Sequence, residues 1–235
     1  MNDYTPLDLS TLASVGAAVY EKKKSPLLGS ITLHGLPFLI GGAEPDPARC
    51  FVGLGFADAQ EAVRVPVEAT ARHILFAHAL LDSRLLDNGP MGEVVAHYTI
   101  RYADGETVRL PIRERFEIGP IPMWWSAYPF LAVPDEQDSM LTRDAGPWGN
   151  AGERQAETDQ GWPQHYYLWA WPNPRPDAPI ATIELEPAGR KVVVAAITLG
   201  QRDEQPLRRQ VKRAVKITLA EPGGTETLGV RVDRG

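Results

Sequence analysis

Apolar and polar side chains alternate along several short stretches of this chain, the period-two pattern of half-buried β-strands. The clearest stretch reads EVVAHYTIRYADGETVRLPIRE and contains an Ala-Asp-Gly turn. A three-residue loop at 103–105 would pair Tyr102 with Glu106 and Ile100 with Val108, which keeps the apolar positions of both strands on one face. The pattern therefore predicts a β-hairpin with the turn glycine in the left-handed conformation.

Other segments extend the β prediction. Residues 182–186 alternate in the same way, and residues 192–199 are apolar on both faces, as expected of a central strand. The segment HYYLWAWP, residues 165–172, carries aromatic rings along one face. That face favours core or subunit interface over a ligand platform, because each buried aromatic removes a large area from water. Residues 67–86 fit a helix and a strand equally well.

Composition agrees with a β-protein. Glycine and proline number 21 each among 235 residues, which suits many short strands joined by turns. No linker divides the chain, so we expect a single domain over 1–235, an antiparallel β-sandwich with long connecting loops. The longest predicted loop, 135–161, has little periodicity, and loops of that length are commonly functional.

Charge and motif content exclude several functions. The net charge of −6 and the pI near 5.4 argue against nucleic acid as a partner, and the basic run at 208–213 is expected to be a solvated edge. No apolar run is long enough to predict a membrane partner, and no signal peptide is recognisable, so the cytoplasm is the expected location. Cys50 is interpreted as a buried thiol. We predict no cofactor and no metal: His73 and His78 are five positions apart, so they would point in different directions on a helix and face opposite sides of a strand.

Candidate ligand contacts come from aromatic and polar side chains. Trp124, Trp125 and Trp148 lie in proline- and glycine-rich segments, where an indole face suits the apolar face of a sugar ring, although packing explains each of them as well. The polar partners expected for them are His97, Arg101 and Arg113. No catalytic residue is predicted. Two carboxylates on one strand, at positions 184 and 186, are interpreted as a solvated face, with an acid and base pair as the alternative.

A family resemblance covers most of the chain, from about Leu7 to Leu219. The order of HGLPFLIGG, HYTIRYADG, the Trp-Trp pair, YLWAWPNPRPDAPIATIEL and AAITLG resembles the galactose-binding-domain-like modules of bacterial multidomain hydrolases. The resemblance implies a jelly-roll β-sandwich that serves as an accessory module. Its motifs are strand and turn signatures, so it implies no catalytic residue.

The sequence thus predicts a noncatalytic binding or assembly module that recognises carbohydrate or another small polar ligand, or supports a partner hydrolase domain or subunit. One alternative is a glycoside-processing or other hydrolase that uses carboxylates under the 135–161 loop. A second alternative is a structural oligomerisation domain, and a homo-oligomer is accordingly a further expected partner.

Overall fold

A computed structural model describes residues 3–20, 25–56, 61–124, 127–137, 139–140, 158–159 and 161–207. The strands in these ranges are β1 (Tyr4–Pro6), β2 (Gly29–Leu33), β3 (Leu36–Ile40), β4 (Val52–Leu54), β5 (Val63–Ala69), β6 (His73–Leu80), β7 (Val94–Tyr102), β8 (Thr107–Arg113), β9 (Ala132–Pro134), β10 (Ser139–Met140), β11 (Thr158–Asp159), β12 (Tyr167–Pro172), β13 (Ile180–Pro187) and β14 (Val192–Gly200). Short 3-10 turns occupy Ser10–Leu12, Ala17–Tyr20 and Leu85–Asp87.

Two antiparallel sheets form the body of the protein. The first has the order β1-β14-β6-β12-β9, with β4 also beside β14, and the second has the order β5-β13-β7-β8. Their inner faces meet in the core, where the rings of Phe76 on β6 and Tyr98 on β7 lie 4.9 Å apart. The all-β, antiparallel sandwich predicted from sequence is therefore confirmed.

The predicted hairpin is present as β7 and β8. Tyr98 pairs with Leu110, Ile100 pairs with Val108, and the Tyr102 backbone N–H donates to the carbonyl of Glu106. The third loop residue is a glycine with φ of 91°, a conformation that side chains other than glycine rarely adopt. The alternation of side chains and the turn glycine were therefore enough to predict the pairing of these two strands.

The aromatic face of β12 is core. Tyr167, Trp169 and Trp171 are all buried, and Trp169 stacks on Phe76 with 5.4 Å between ring centroids. Their position between the sheets confirms the core interpretation and rules out an exposed ligand platform on this strand.

Strands also account for most of the ambiguous segment 67–86. It contains the end of β5, all of β6 and the first two residues of the 3-10 turn Leu85–Asp87. β6 lies between β14 and β12, and its residues after His73 are buried, so both of its faces are covered. A strand covered on both faces loses the alternation that would have distinguished it from a helix. β14, buried throughout, is the predicted central strand.

A third layer covers the outer face of the first sheet. The β2–β3 hairpin is joined to it by a hydrogen bond from Thr198 Oγ1 to the carbonyl of Pro37, 2.8 Å long. Beside this hairpin, Tyr166 contacts Tyr20 and Phe51 edge to face. The layer places the tip of the β2–β3 hairpin near the end of the sheet, where a groove opens.

Several further predictions can be compared with this fold. Cys50 is buried, and burial raises the pKa of its thiol to about 11. Within the described ranges, no helix has the length and apolar character needed to cross a membrane. In that same part of the chain, no group of three or more His, Cys, Asp or Glu side chains is placed to hold a metal ion. The basic run 208–213 and most of the 135–161 loop lie outside the described residues.

Candidate active site

Two of the residues selected from sequence, His97 and Arg101, share the outer face of β7. Arg101 Nη2 lies 2.7 Å from Glu184 Oε2, and Arg64 Nε lies 3.2 Å from Glu184 Oε1. The hydrogen bond from Arg101 is the main reason that the pKa of Glu184 is lowered. Glu186 is bonded in the same way by a neighbouring arginine. These carboxylates therefore belong to an ion-paired solvent face rather than to an acid and base pair.

Arg113 lies at the other end of the same sheet. It pairs with Val94, whereas Arg101 is at the level of Thr107. Its guanidinium lies 2.6 Å from the Glu117 carboxylate, and it also stacks over a phenylalanine ring in the following turn. The structure therefore separates Arg113 from the pair on the face of β7.

Of the three tryptophans predicted to contact a ligand, the structure describes one. Trp124 is half-buried and packs against the core from the connection between β8 and β9. Trp125 and Trp148 lie outside the described residues. The combination of three indoles with His97, Arg101 and Arg113 stays a prediction.

A polar groove opens where β1 and β14 end beside the tip of the β2–β3 hairpin. Its volume is ≈ 410 Å³, in the range of sites that hold small ligands. The residues that line it are Asp3, Tyr4, His34, Gly35, Leu36, Arg202, Glu204, Gln205 and Pro206. It thus combines carboxylates, a phenol, an imidazole and a guanidinium in one concave surface.

Local backbone features build this groove. Tyr4 pairs with Gly200 across β1 and β14. A Cβ at Gly200 would lie 2.8 Å from the Tyr4 ring, so glycine is required for the ring to lie against the strand. On the opposite wall, His34 and Gly35 both have positive φ in the two-residue turn of the β2–β3 hairpin. The His34 Nε2 donates to the carbonyl of Pro134 over 2.8 Å.

Glu204 and Asp3 are the carboxylates of the groove. The Tyr4 hydroxyl donates a hydrogen bond to Glu204 Oε1. Arg202 lies between the two carboxylates, 3.6 Å from Asp3 Oδ2 and 3.6 Å from Glu204 Oε2. The Glu204 side chain is 23% exposed and that of Asp3 64%, so Glu204 is the more sheltered of the two.

Protonation in the groove follows from burial and charge. Burial first, and then the hydrogen bond to Glu204, raise the pKa of Tyr4, so the phenol keeps its proton at neutral pH. His73 pairs with Gly200 at the start of β6, and burial lowers its pKa, so its imidazole is neutral at pH 7. The groove therefore contains a neutral phenol bonded to a carboxylate, whereas the neutral His73 imidazole belongs to the adjoining strand β6 and is not among the residues that line the groove.

Sequence reasoning missed this groove. Tyr4 and Glu204 are 200 positions apart, and neither belongs to a recognised catalytic motif. The available signal was the charged segment QRDEQP directly after the fully apolar β14. Polar residues that follow a buried strand lie at a sheet end, which is a common place for a site.

Comparisons with known proteins give limited information. No protein-family model matches the chain, and no curated protein matches it. Among solved structures, it is similar to the catalytic domain of a GH87 alpha-1,3-glucanase in complex with nigerose, with 14% identity and a TM-score of 0.34. A variant of that domain in complex with tetrasaccharides gives 15% identity and a TM-score of 0.35. Each match covers 96% of this chain and 30% of the other, so the chain spans less than a third of those proteins.

These matches correct the main functional expectation. The prediction of a noncatalytic binding or assembly module is corrected: the solved structures to which this chain is similar are catalytic domains of carbohydrate hydrolases. TM-scores this low carry no argument about reaction or residues. The site must therefore be argued from its own geometry.

Proposed function

We propose that this protein is a glycoside-processing hydrolase with its active site in the groove between β1, β14 and the β2–β3 hairpin. One observation carries the proposal: Asp3 and Glu204 line the same groove and both lie beside Arg202, and Glu204 also accepts a hydrogen bond from the Tyr4 hydroxyl. Most glycoside hydrolases use a pair of carboxyl groups that flank the scissile bond. The groove supplies such a pair on a scaffold of strand ends.

The reaction assigns a role to each carboxyl group. Hydrolysis adds the hydroxyl of water to the anomeric carbon and a proton to the leaving oxygen as the C–O bond breaks. Glu204, which accepts the Tyr4 hydrogen bond and lies near Arg202, serves as the ionised base that takes the proton from water. Asp3, on the other side of Arg202, is assigned as the general acid: its protonated carboxyl donates a proton to the leaving oxygen as the C–O bond breaks. The proton that Glu204 takes from water balances this loss, and exchange with solvent restores both carboxyl groups.

Tyr4 and Arg202 position the reacting groups. The phenol fixes one oxygen of Glu204, and the Arg202 guanidinium lies 3.6 Å from each of the two carboxylates. Such positioning removes the entropy cost of bringing the groups together in the transition state. Loss of either side chain should lower turnover without removing a reacting atom.

Turnover by the purified full-length chain tests the proposal. We would incubate it with α- and β-linked glucans, galactans and mannans, including an α-1,3-glucan, and measure new reducing ends. Replacing Glu204→Gln or Asp3→Asn should lower kcat about 100-fold or more, the usual contribution of a general acid or base. Glu186→Gln is the matched control, because that carboxylate lies on the ion-paired outer face.

Two results would contradict the proposal. One is the absence of new reducing ends with every polysaccharide, and the other is a Glu204→Gln variant that turns over at the rate of the unaltered protein. Urea unfolding of each variant separates a lost reacting group from a lost fold.

A further inference from the structure

One tryptophan outside the groove presents its ring to solvent. Trp162 is 40% exposed, whereas Trp124, Trp169 and Trp171, the other tryptophans that the structure describes, are partly or fully buried. An isolated exposed apolar residue is ordinary. The surroundings of Trp162 are what distinguish it.

The chain around Trp162 is held by a dense set of hydrogen bonds. The Trp162 backbone N–H donates to Glu136 Oε2 over 3.3 Å, and the Tyr128 hydroxyl donates to the carbonyl of Gly161 over 3.0 Å. The Asp135 carboxylate accepts the backbone N–H groups of the three residues 164–166. The exposed indole is therefore held by a fixed backbone, so binding of a ligand to it loses little conformational entropy of the protein.

An aromatic ring supports the indole, and two polar side chains belong to the same short segment of structure. The Tyr128 ring meets Trp162 at 85° with 6.0 Å between centroids, which fixes the orientation of the indole. Gln164 Nε2 donates to Glu136 Oε2 over 3.1 Å beside it. An exposed ring face on a segment that also carries an amide and binds a carboxylate suits the apolar face and the hydroxyl rim of a sugar ring.

This shelf, formed by Trp162, Tyr128, Glu136 and Gln164, is connected to the groove. His34 lines the groove, and its Nε2 donates to the carbonyl of Pro134, which directly precedes the 135–136 segment that holds the shelf. The groove has room for one small ligand, so a longer sugar chain must leave it. The His34 wall is thus joined to the shelf segment by one hydrogen bond and the two chain positions that follow Pro134.

We propose that the Trp162 shelf is an outer subsite that stacks one ring of an oligosaccharide extending from the groove. The proposal rests on the hydrolase function proposed above. The substrate class is a neutral oligosaccharide, because Glu136 at the shelf and Asp3 and Glu204 in the groove would repel an acidic sugar.

Substrates of two lengths test the subsite. We would compare kcat/KM for a neutral tetrasaccharide and for an aryl monoglycoside of the same sugar. Trp162→Ala should lower kcat/KM for the tetrasaccharide roughly two- to tenfold, the size of one aromatic contact, through KM. It should leave the monoglycoside unchanged, and Trp162→Phe should restore part of the loss.

Phe130→Ala is the matched control, since Phe130 is 61% exposed and contacts Phe116 rather than Trp162. An equal loss for both substrates with Trp162→Ala, or an equal loss of tetrasaccharide turnover with Phe130→Ala, overturns the subsite.

Calorimetry with the tetrasaccharide and the Glu204→Gln variant separates this proposal from the hydrolase proposal. Binding that Trp162→Ala weakens supports the shelf even if no turnover is found, and in that case only the hydrolase proposal fails. Turnover of the tetrasaccharide with unchanged binding and KM in Trp162→Ala overturns the shelf alone. An absence of both binding and turnover overturns both.

Discussion

His78 makes the stability of this protein sensitive to acid. The imidazole is fully buried between the sheets, where Nε2 lies 2.9 Å from the carbonyl of Glu117 and Nδ1 lies 3.0 Å from the Tyr98 hydroxyl. A carbonyl can only accept, so Nε2 carries the proton and Nδ1 accepts from Tyr98. A second proton on Nδ1 would face the Tyr98 hydroxyl in a site that excludes water.

The magnitude follows from the pKa. Burial lowers the pKa of His78 from 6.5 to about 4. Because the folded-state pKa is the lower one, the folded protein binds fewer protons, and this contribution to stability is complete above pH 6.5 and lost as the pH falls to 4. A pKa difference of this size corresponds to about 3 kcal/mol.

Urea unfolding at a series of pH values between 7 and 4 measures the effect. Carboxylates also respond to acid, so the quantity to follow is the difference in unfolding free energy between the unaltered protein and His78→Gln, whose amide does not titrate. That difference should move by about 3 kcal/mol against the unaltered protein as the pH falls to 4. His97→Gln, at a partly exposed position, is the control and should move much less. Parallel pH profiles for the unaltered protein and His78→Gln would refute the reasoning.

Three further predictions concern other buried contacts. Glu114 is buried with one carboxylate oxygen lacking a hydrogen-bond partner, and burial raises its pKa. The contribution of this group to stability is therefore present in acid and is lost as the pH rises through the folded-state pKa. Relative to the unaltered protein, Glu114→Gln should accordingly gain urea resistance between pH 4 and pH 8. Asn173→Ala should cost about 3 kcal/mol of unfolding free energy, because it leaves the Tyr102 hydroxyl and nearby backbone groups without their partner; an unchanged urea midpoint would contradict this. Gly200→Ala should displace the Tyr4 ring and lower kcat in the reducing-end assay, with a loss of about 1–3 kcal/mol of unfolding free energy.

Sequence reasoning succeeded where the information is local. The β7–β8 hairpin was predicted residue by residue, since strand parity and one turn glycine determine which partners can meet. The burial of Trp169 was predicted for a related reason: a strand with apolar residues on both faces has no side that favours water. The sequence did not distinguish helix from strand for residues 67–86, because the burial of β6 depends on neighbours distant in the chain.

The amino-acid sequence by itself thus determined the all-β class, the register of one hairpin and the buried character of the aromatic strand, all of which follow from side chains close together in the chain. Only the tertiary structure brought Tyr4 and Glu204 together and placed Asp3 across Arg202 from them. No periodic pattern connects residues 200 positions apart, since their meeting depends on β1 pairing with β14 at the edge of a sheet. The same dependence applies to His78, whose pKa is lowered by a core that two separate sheets enclose.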